Sequence, residues 1–394
     1  MFARALVAFA ALLAALPALA QPTHTRWALS DAIDAVLDDD DFVPGWWGVH
    51  VADLESGEVL YSRASYGWFI PASNMKLVTT AAALDVLGPD YRFETRLYAD
   101  GAIAYGTLSG PLVVRGSGDP AFAGRRRAEL RDVFHGWADS LRARRVRTVL
   151  GPILVADDAD EVANASFARA FTEVLHDEGI EVVDPTVVAL RSSEIPDYGH
   201  LTRVATYRSA PLAAYVRHTN EESDNAYAER LLRATAARVY GGPSSPDGWS
   251  EAVGSSLRRL GVDPRSVVMA DGSGLSRANR MTPAGAVELL SVMWHHPVPA
   301  VREAFVSSLP VGGYTGTLRR RYRTGDARGN VRAKTGFINN VRTLSGYVTT
   351  SSGRPLVFSL MCNGYTVSTS RVNRAQDAVV ELLADFAARR EVGG

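Results

Sequence analysis

One cysteine, Cys362, is all the chain carries, so no intramolecular disulfide can hold it and the fold must stand on its apolar core. Cys362 lies in the apolar run LVFSLMCNG, where it reads as a small core residue and not as a reactive thiol. After the first twenty residues no stretch approaches eighteen consecutive apolar residues, so no membrane-spanning helix is expected there. Net charge is nearly absent, -1 at neutral pH, which gives no pull toward nucleic acid, and no nucleic-acid partner is expected. H-E-x-x-H does not occur, and the eight histidines show no metal-ligand spacing, so no metal or other cofactor is expected. G-x-S-x-G does not occur either, which removes the usual α/β-hydrolase elbow. Gly116-Ser117-Gly118 with Ala121 imitates a dinucleotide fingerprint, but Asp119-Pro120 follow at once and no βαβ unit surrounds it. Repeats and low-complexity tracts are missing as well.

What is present begins with a leader. Arg4, the short apolar run LVAFAALLAALPA and the small residues Ala18-Leu19-Ala20 predict a signal peptide over residues 1–20, cleaved after Ala20, and a periplasmic or secreted mature chain. RWALSDAIDAVLDD then reads as a helix. WWGVHVADL and EVLYSRAS form a hairpin around Glu55-Ser56-Gly57. PASNMKLVTTAAALDVLG predicts a helix from near Ser73 to Gly88. From 93 to 203 short alternating runs dominate (FETRLYA, PLVVRGSGDP, GPILVADD), with helix candidates at 127–143 and 166–179. The helical pattern returns after Pro211. The chain closes with three strands, RAKTGF, TLSGYVTTS and PLVFSLMCNG, in an antiparallel meander, and a last helix across NRAQDAVVELLADFAARR. The expected class is α/β (α+β): a discontinuous domain of 21–92 and 204–394, with an inserted β-rich domain at 93–203. The Arg-rich stretches at 125–127, 142–147 and 319–321 mix with acids and read as solvated surface.

Three short motifs stand in a telling order: Ser73-Asn74-Met75-Lys76, Ser223-Asp224-Asn225 and Lys334-Thr335-Gly336. Each is weak alone, and together they are strong. A serine hydroxyl needs a base to take its proton. A lysine three residues along a helix lies on the same face, within reach of that oxygen. Burial and a second cation, here Lys334, would lower its pKa far enough for it to act as that base. The competing reading makes Ser73 a cap and Lys76 a surface lysine. The apolar neighbours Leu77, Val78 and Ala81-Ala82-Ala83 favour a buried helix instead. Ser223 and Asn225 fall in a polar loop between two helices, a normal place for relay and orienting groups; a capping turn there is compatible. Lys334-Thr335-Gly336 on an edge strand would bind substrate main chain and carboxylate, with Gly336 permitting close approach.

With Asp271-Gly272-Ser273-Gly274-Leu275-Ser276-Arg277, LPVGGYTGTLRRR, GNVRAKTG, TLSGYV and PLVVRGSGDP, the three motifs resemble the D-alanyl-D-alanine carboxypeptidase/endopeptidase family, the class C low-molecular-mass penicillin-binding proteins. The resemblance covers nearly the whole chain after residue 20. It implies a penicillin-binding transpeptidase/β-lactamase-like domain carrying the insert, and a serine D,D-peptidase that cuts peptidoglycan stem peptides through an acyl-enzyme on Ser73. β-Lactam antibiotics would be covalent inhibitors. It also implies Lys76 as base, Ser223 as proton relay, Asn225 as orienting group, Lys334 and Thr335 on the carboxylate end, and an oxyanion hole from the N–H groups of Ser73 and Phe337. An acid near Asp157 would meet a diaminopimelate amine. Phe337 departs from the family, which places a small hydroxyl residue after K-T-G, and this tilts the expectation toward endopeptidase work. The short DEVANASF implies loss of a further domain found in larger members. A β-lactamase-like hydrolase and a non-catalytic peptidoglycan-binding protein remain as alternatives.

Overall fold

The computed structural model describes residues 26–123, 127–157, 161–190, 198–242 and 245–387; the expected signal peptide and Arg125-Arg126 lie outside them. The chain opens with helix α1 (Arg26–Leu37), strands β1 (Trp46–Asp53) and β2 (Val59–Arg63), and helix α2 (Met75–Leu87). It then builds β3 (Glu94–Ala99), β4 (Leu112–Arg115), α3 (Arg127–Ala143), β5 (Ile153–Ala156), α4 (Glu161–Asp177), β6 (Val187–Leu190) and β7 (Thr202–Arg208). Five helices follow, α5 (Leu212–Glu221), α6 (Asn225–Tyr240), α7 (Pro246–Leu260), α8 (Pro283–Trp294) and α9 (Pro299–Val306). Strands β8 (Arg332–Ile338), β9 (Val341–Thr349) and β10 (Pro355–Asn363) and helix α10 (Thr369–Asp385) complete it.

The first sheet is antiparallel, in the order β8-β9-β10-β1-β2, so the strand carrying Lys334-Thr335-Gly336 is at its edge. Helices cover both faces. One core joins α1 and α10 to the sheet through Leu29, Ile33, Val379 and Leu383. The other packs α2, α5, α6 and α8 on the opposite face through Leu77, Val216, Leu231 and Leu290. A strand covered on both faces has no wet side, so its in–out alternation disappears. β10 accordingly reads as one apolar run, buried at every position after Pro355. Cys362 is among those residues, fully buried, and burial pushes its thiol up to about 12. It is inert filling.

The expected hairpin forms, with the Asp53 carboxylate accepting from the Glu55 and Ser56 N–H groups at 3.0 and 2.7 Å. Such an Asx-type turn fixes the reversal that Gly57, at φ +73°, completes. The meander turns at Asn340 and Gly353, both in left-handed backbone.

The segment from β3 to β7 has its own sheet, ordered β6-β5-β4-β3-β7, and its own core, in which Phe134, Trp137, Phe167 and Phe171 pack ring against ring. It is less purely β than its alternating runs suggest. α3 and α4 are 17 residues each, and β4, β5 and β6 run parallel. Parallel neighbours need long crossovers, and the two helices supply them.

Candidate active site

Ser73 sits in a short 3-10 turn, Ala72–Asn74, that leads directly into α2. Every α2 residue from Met75 to Leu84 is buried, and a helix apolar all round is a central one. Lys76 lies in that buried stretch, with 0% of its surface exposed. Its Nζ has three partners: Ser73 Oγ at 3.1 Å, Asn225 Oδ1 at 2.7 Å and the Ser273 carbonyl at 2.6 Å. The second and third can only accept. A neutral amine has two N–H bonds and one lone pair, so both N–H bonds are taken and the lone pair is left for the Ser73 O–H. As an ammonium Lys76 donates to all three, and in its neutral form it has the reach of a base toward Ser73.

Ser223 and Asn225 straddle the α5–α6 junction. Asp224 between them caps α6, accepting from the Tyr227 N–H at 3.1 Å, and His218 lies 3.3 Å from its other oxygen. The capping turn and the site thus share one loop. Ser223 is held at φ +58° and Ala72, just before the nucleophile, at φ +46°. Left-handed backbone costs a non-glycine residue ~1–3 kcal/mol and persists where surroundings enforce it. On β8, Lys334 Nζ donates to Ser223 Oγ and to the Thr335 carbonyl, both at 2.9 Å. Thr335 donates its hydroxyl to Thr317 Oγ1 at 2.8 Å.

Burial lowers the Lys76 amine to about 8, against the upward pull of Glu229, Asp271 and Asp224. Lys334 is also fully buried and falls well below its ordinary value, through burial first and then the positive charges of Lys76 and Arg342. The two amines repel each other, and Lys76 differs from Lys334 in also feeling the carboxylates of Glu229, Asp271 and Asp224.

Gly336 differs from expectation as well. A Cβ there would lie 2.1 Å from Thr343 Oγ1 and 2.8 Å from the Pro71 carbonyl. The space is filled by the protein's own chain, so glycine lets β8 close on the Ser73 turn. Gly274, at φ +82°, does the same from the other side, where a Cβ would stand 1.8 Å from the Ala72 carbonyl. Phe337 is 52% exposed, with its ring over Arg342, whose guanidinium carbon is 5.3 Å from the centroid. Asp157 is buried against Arg230. It is 4% exposed with its carboxylate 3.5 Å from Arg230, and its neighbour Asp158 lies outside the described residues.

The sequence reading missed the Ser273 carbonyl and Glu229. Glu229 accepts from the Ser273 and Gly272 N–H groups at 2.8 and 3.2 Å. It stands four residues after Asn225 on α6, and that one-turn spacing was the available signal. The carbonyl left none, being backbone. No cluster of His, Cys, Asp and Glu able to hold a metal occurs among the described residues.

The profile of the D-Ala-D-Ala carboxypeptidase 3 (S13) family matches residues 29–161 and 159–386. The chain is 32% identical to carboxypeptidase DacB of Mycolicibacterium smegmatis, over 88% of this chain and 82% of that one. It is 30% identical to a D-alanyl-D-alanine carboxypeptidase of Actinomadura sp., over 97% and 89%. Among solved structures it is similar to penicillin binding protein 4 (dacB) from Haemophilus influenzae, with TM-score 0.75, 20% identity and coverage of 89% and 97%. That protein has also been solved in complex with a β-lactam.

Proposed function

We propose, from the premise that this chain belongs to the D-Ala-D-Ala carboxypeptidase 3 (S13) family, that its Ser73 attacks the D-alanyl carbonyl of a peptidoglycan stem peptide. The protein is a serine D,D-peptidase, and peptidoglycan and β-lactams are its substrate and its covalent ligands. The β-lactamase-like and non-catalytic alternatives are not favoured. The observation that carries the residue assignment is the triple contact of Lys76, which leaves its lone pair only Ser73 to accept from.

The steps combine the contacts of Lys76 and Ser223 with the roles that the family resemblance implies. Neutral Lys76 takes the Ser73 proton as Oγ bonds to the carbonyl carbon. The N–H groups of Ser73 and Phe337 receive the oxyanion, and donors fixed in advance around that charge supply most of the rate gain in acyl transfer. Ser223, polarised by Lys334, passes its proton to the departing amine and takes up the proton held by Lys76, so the base is neutral again and Ser223 is restored. Water then attacks the acyl-enzyme by the reverse path. Asn225 orients the substrate amide, and Lys334, with Thr335 beside it, faces the carboxylate end.

Endopeptidase work is the finer reading. The Thr335 proton is already placed on Thr317, and Phe337 brings a ring where a hydroxyl would donate. Arg342 lies beneath that ring and gives its Nε–H to Asn373 at 2.5 Å. The carboxylate beside the scissile bond thus finds Lys334 and few other donors, which weighs most on a terminal D-Ala held by that group alone, so a D-Ala–diaminopimelate bond, with a longer chain beyond it to hold, is the better substrate. Purified protein should cut cross-linked dimer muropeptides faster than it releases D-Ala from pentapeptides. Phe337→Thr should shift that ratio roughly ten-fold toward D-Ala, the worth of one charge-assisted hydrogen bond. Equal rates on both substrates, unmoved by Phe337→Thr, would sink the preference.

Residues 93–203 are proposed as the inserted domain, supported by their separate core. Residues 1–20 are proposed as the export signal, in keeping with a cell-wall substrate outside the cytoplasmic membrane. Among the described residues no helix is long and apolar enough to cross a membrane.

A further inference from the structure

We infer that Glu229 is a positioning residue for the Lys76–Ser73 pair, fixing the loop that offers Lys76 its carbonyl and turning a negative charge toward the amine. The inference rests on the proposed base role of Lys76 and deepens it.

The Gly272–Ser273 peptide unit is gripped at both ends. Its N–H donates to Glu229 on α6 at 2.8 Å, and its C=O accepts from the Thr79 hydroxyl on α2 at 2.7 Å. Glu229 also takes the Gly272 N–H at 3.2 Å. Held in this way, the loop presents the next carbonyl, that of Ser273, to Lys76 at 2.6 Å. Asn225, on the same face of α6 one turn earlier, supplies the other acceptor. One helix therefore places two of the three partners of the amine, and Glu229 is its link to the loop.

Glu229 acts through its charge as well as its position. The ionised groups facing Lys76 are Glu229 and Asp224 from α6 and Asp271 from the loop, with Lys334 of β8 as the nearby cation. Glu229 leads those carboxylates in effect. The other two have separate structural work. Asp224 caps α6, and Asp271 accepts from the N–H groups of Gly274 and Ser276 at 2.7 and 2.6 Å and from Asn279 at 2.8 Å. Lys334, buried and facing the positive charges of Lys76 and Arg342, is lowered well below its ordinary value. A base that weak takes a serine proton poorly, because proton-transfer rates fall with the strength of the base. Glu229 holds Lys76 between the two failures, always protonated at one extreme and feebly basic at the other.

The test is the pH dependence of Ser73 acylation by a chromogenic cephalosporin, for wild type, Glu229→Gln and Glu229→Asp, with thermal melts of each. Wild-type acylation should rise through about pH 8 as Lys76 loses its proton. Removing the negative charge destabilises the ammonium, so in Glu229→Gln the rise should move to lower pH by at least ~0.5 unit, with a lower plateau. Glu229→Asp keeps the charge on a shorter arm, so its rise should stay near the wild-type pH while its plateau falls. A purely structural role lowers the plateau and leaves the rise where it was in both variants. That result, from variants that melt as the wild type does, would overturn the inference. A wild type that is not acylated at all would instead remove the D,D-peptidase reading beneath it.

Discussion

Lys76→Met should slow acylation of Ser73 by a β-lactam about 10²–10⁴-fold, the usual worth of a positioned general base, while the protein stays folded. Methionine matches the length of the stem and fits a fully buried site on α2. It also removes an amine whose burial opposes its charge, a gain to stability. The loss is two acceptors, Asn225 Oδ1 and the Ser273 carbonyl, left without their donor, at about 1–3 kcal/mol each. These contributions oppose one another, so the melting temperature should change by only a few degrees. Stopped-flow acylation and a thermal melt on the same preparation measure both. A variant that still acylates within threefold of wild type would move the base role to the Lys334–Ser223 pair.

The second large effect is expected from the smallest substitution. Gly336→Ala places a methyl group against Thr343 Oγ1 at 2.1 Å, the Pro71 carbonyl at 2.8 Å and Ala72 Cβ at 3.2 Å. Two of those atoms belong to the turn that holds Ser73, and the third already donates to Pro71 at 2.8 Å. No flexible chain end stands there to yield, so β8 and the Ser73 turn must separate. Overpacking of this kind costs about 1–3 kcal/mol. The larger loss is kinetic: a displacement of about 1 Å between reacting groups can cost 10²-fold. Gly336→Ala should thus lose two decades of acylation rate with a modest drop in melting temperature. Thr343→Ala added to it opens the tightest contact and should restore part of the rate. Full activity in the single variant would return Gly336 to the role first expected of it, space kept for substrate.

That contrast shows where the sequence was informative. Ser73, Lys76, Ser223, Asn225, Lys334 and Thr335 were legible because the proposed chemistry needs those residue types in a fixed order, and the structure gathers them into two hydrogen-bonded sets, Ser73–Lys76–Asn225 and Ser223–Lys334–Thr335. The edge position of β8 was legible too, since a meander preceded by helices leaves its first strand unpaired on one side. Gly336 was visible as important, but its reason was not. Missing side chains look alike in sequence, and only the fold tells whether ligand or protein fills the space. The charge balance was half visible for a related reason. Lys334 is an evident cation in the sequence, whereas Glu229 on α6, Asp224 at its cap and Asp271 in a loop are brought to bear on Lys76 only by the fold. Parallel pairing of β4, β5 and β6 was invisible because partners 41 residues apart, such as Val113 and Leu154, leave no local pattern.

The most direct measurement is to treat the purified protein with a fluorescent penicillin and map the adduct by peptide mass spectrometry, alongside Ser73→Ala. One labelled peptide, carrying the acyl group on Ser73 and lost in the variant, is the predicted result. Label on Ser223 or any other residue, or label that persists in Ser73→Ala, would contradict the account.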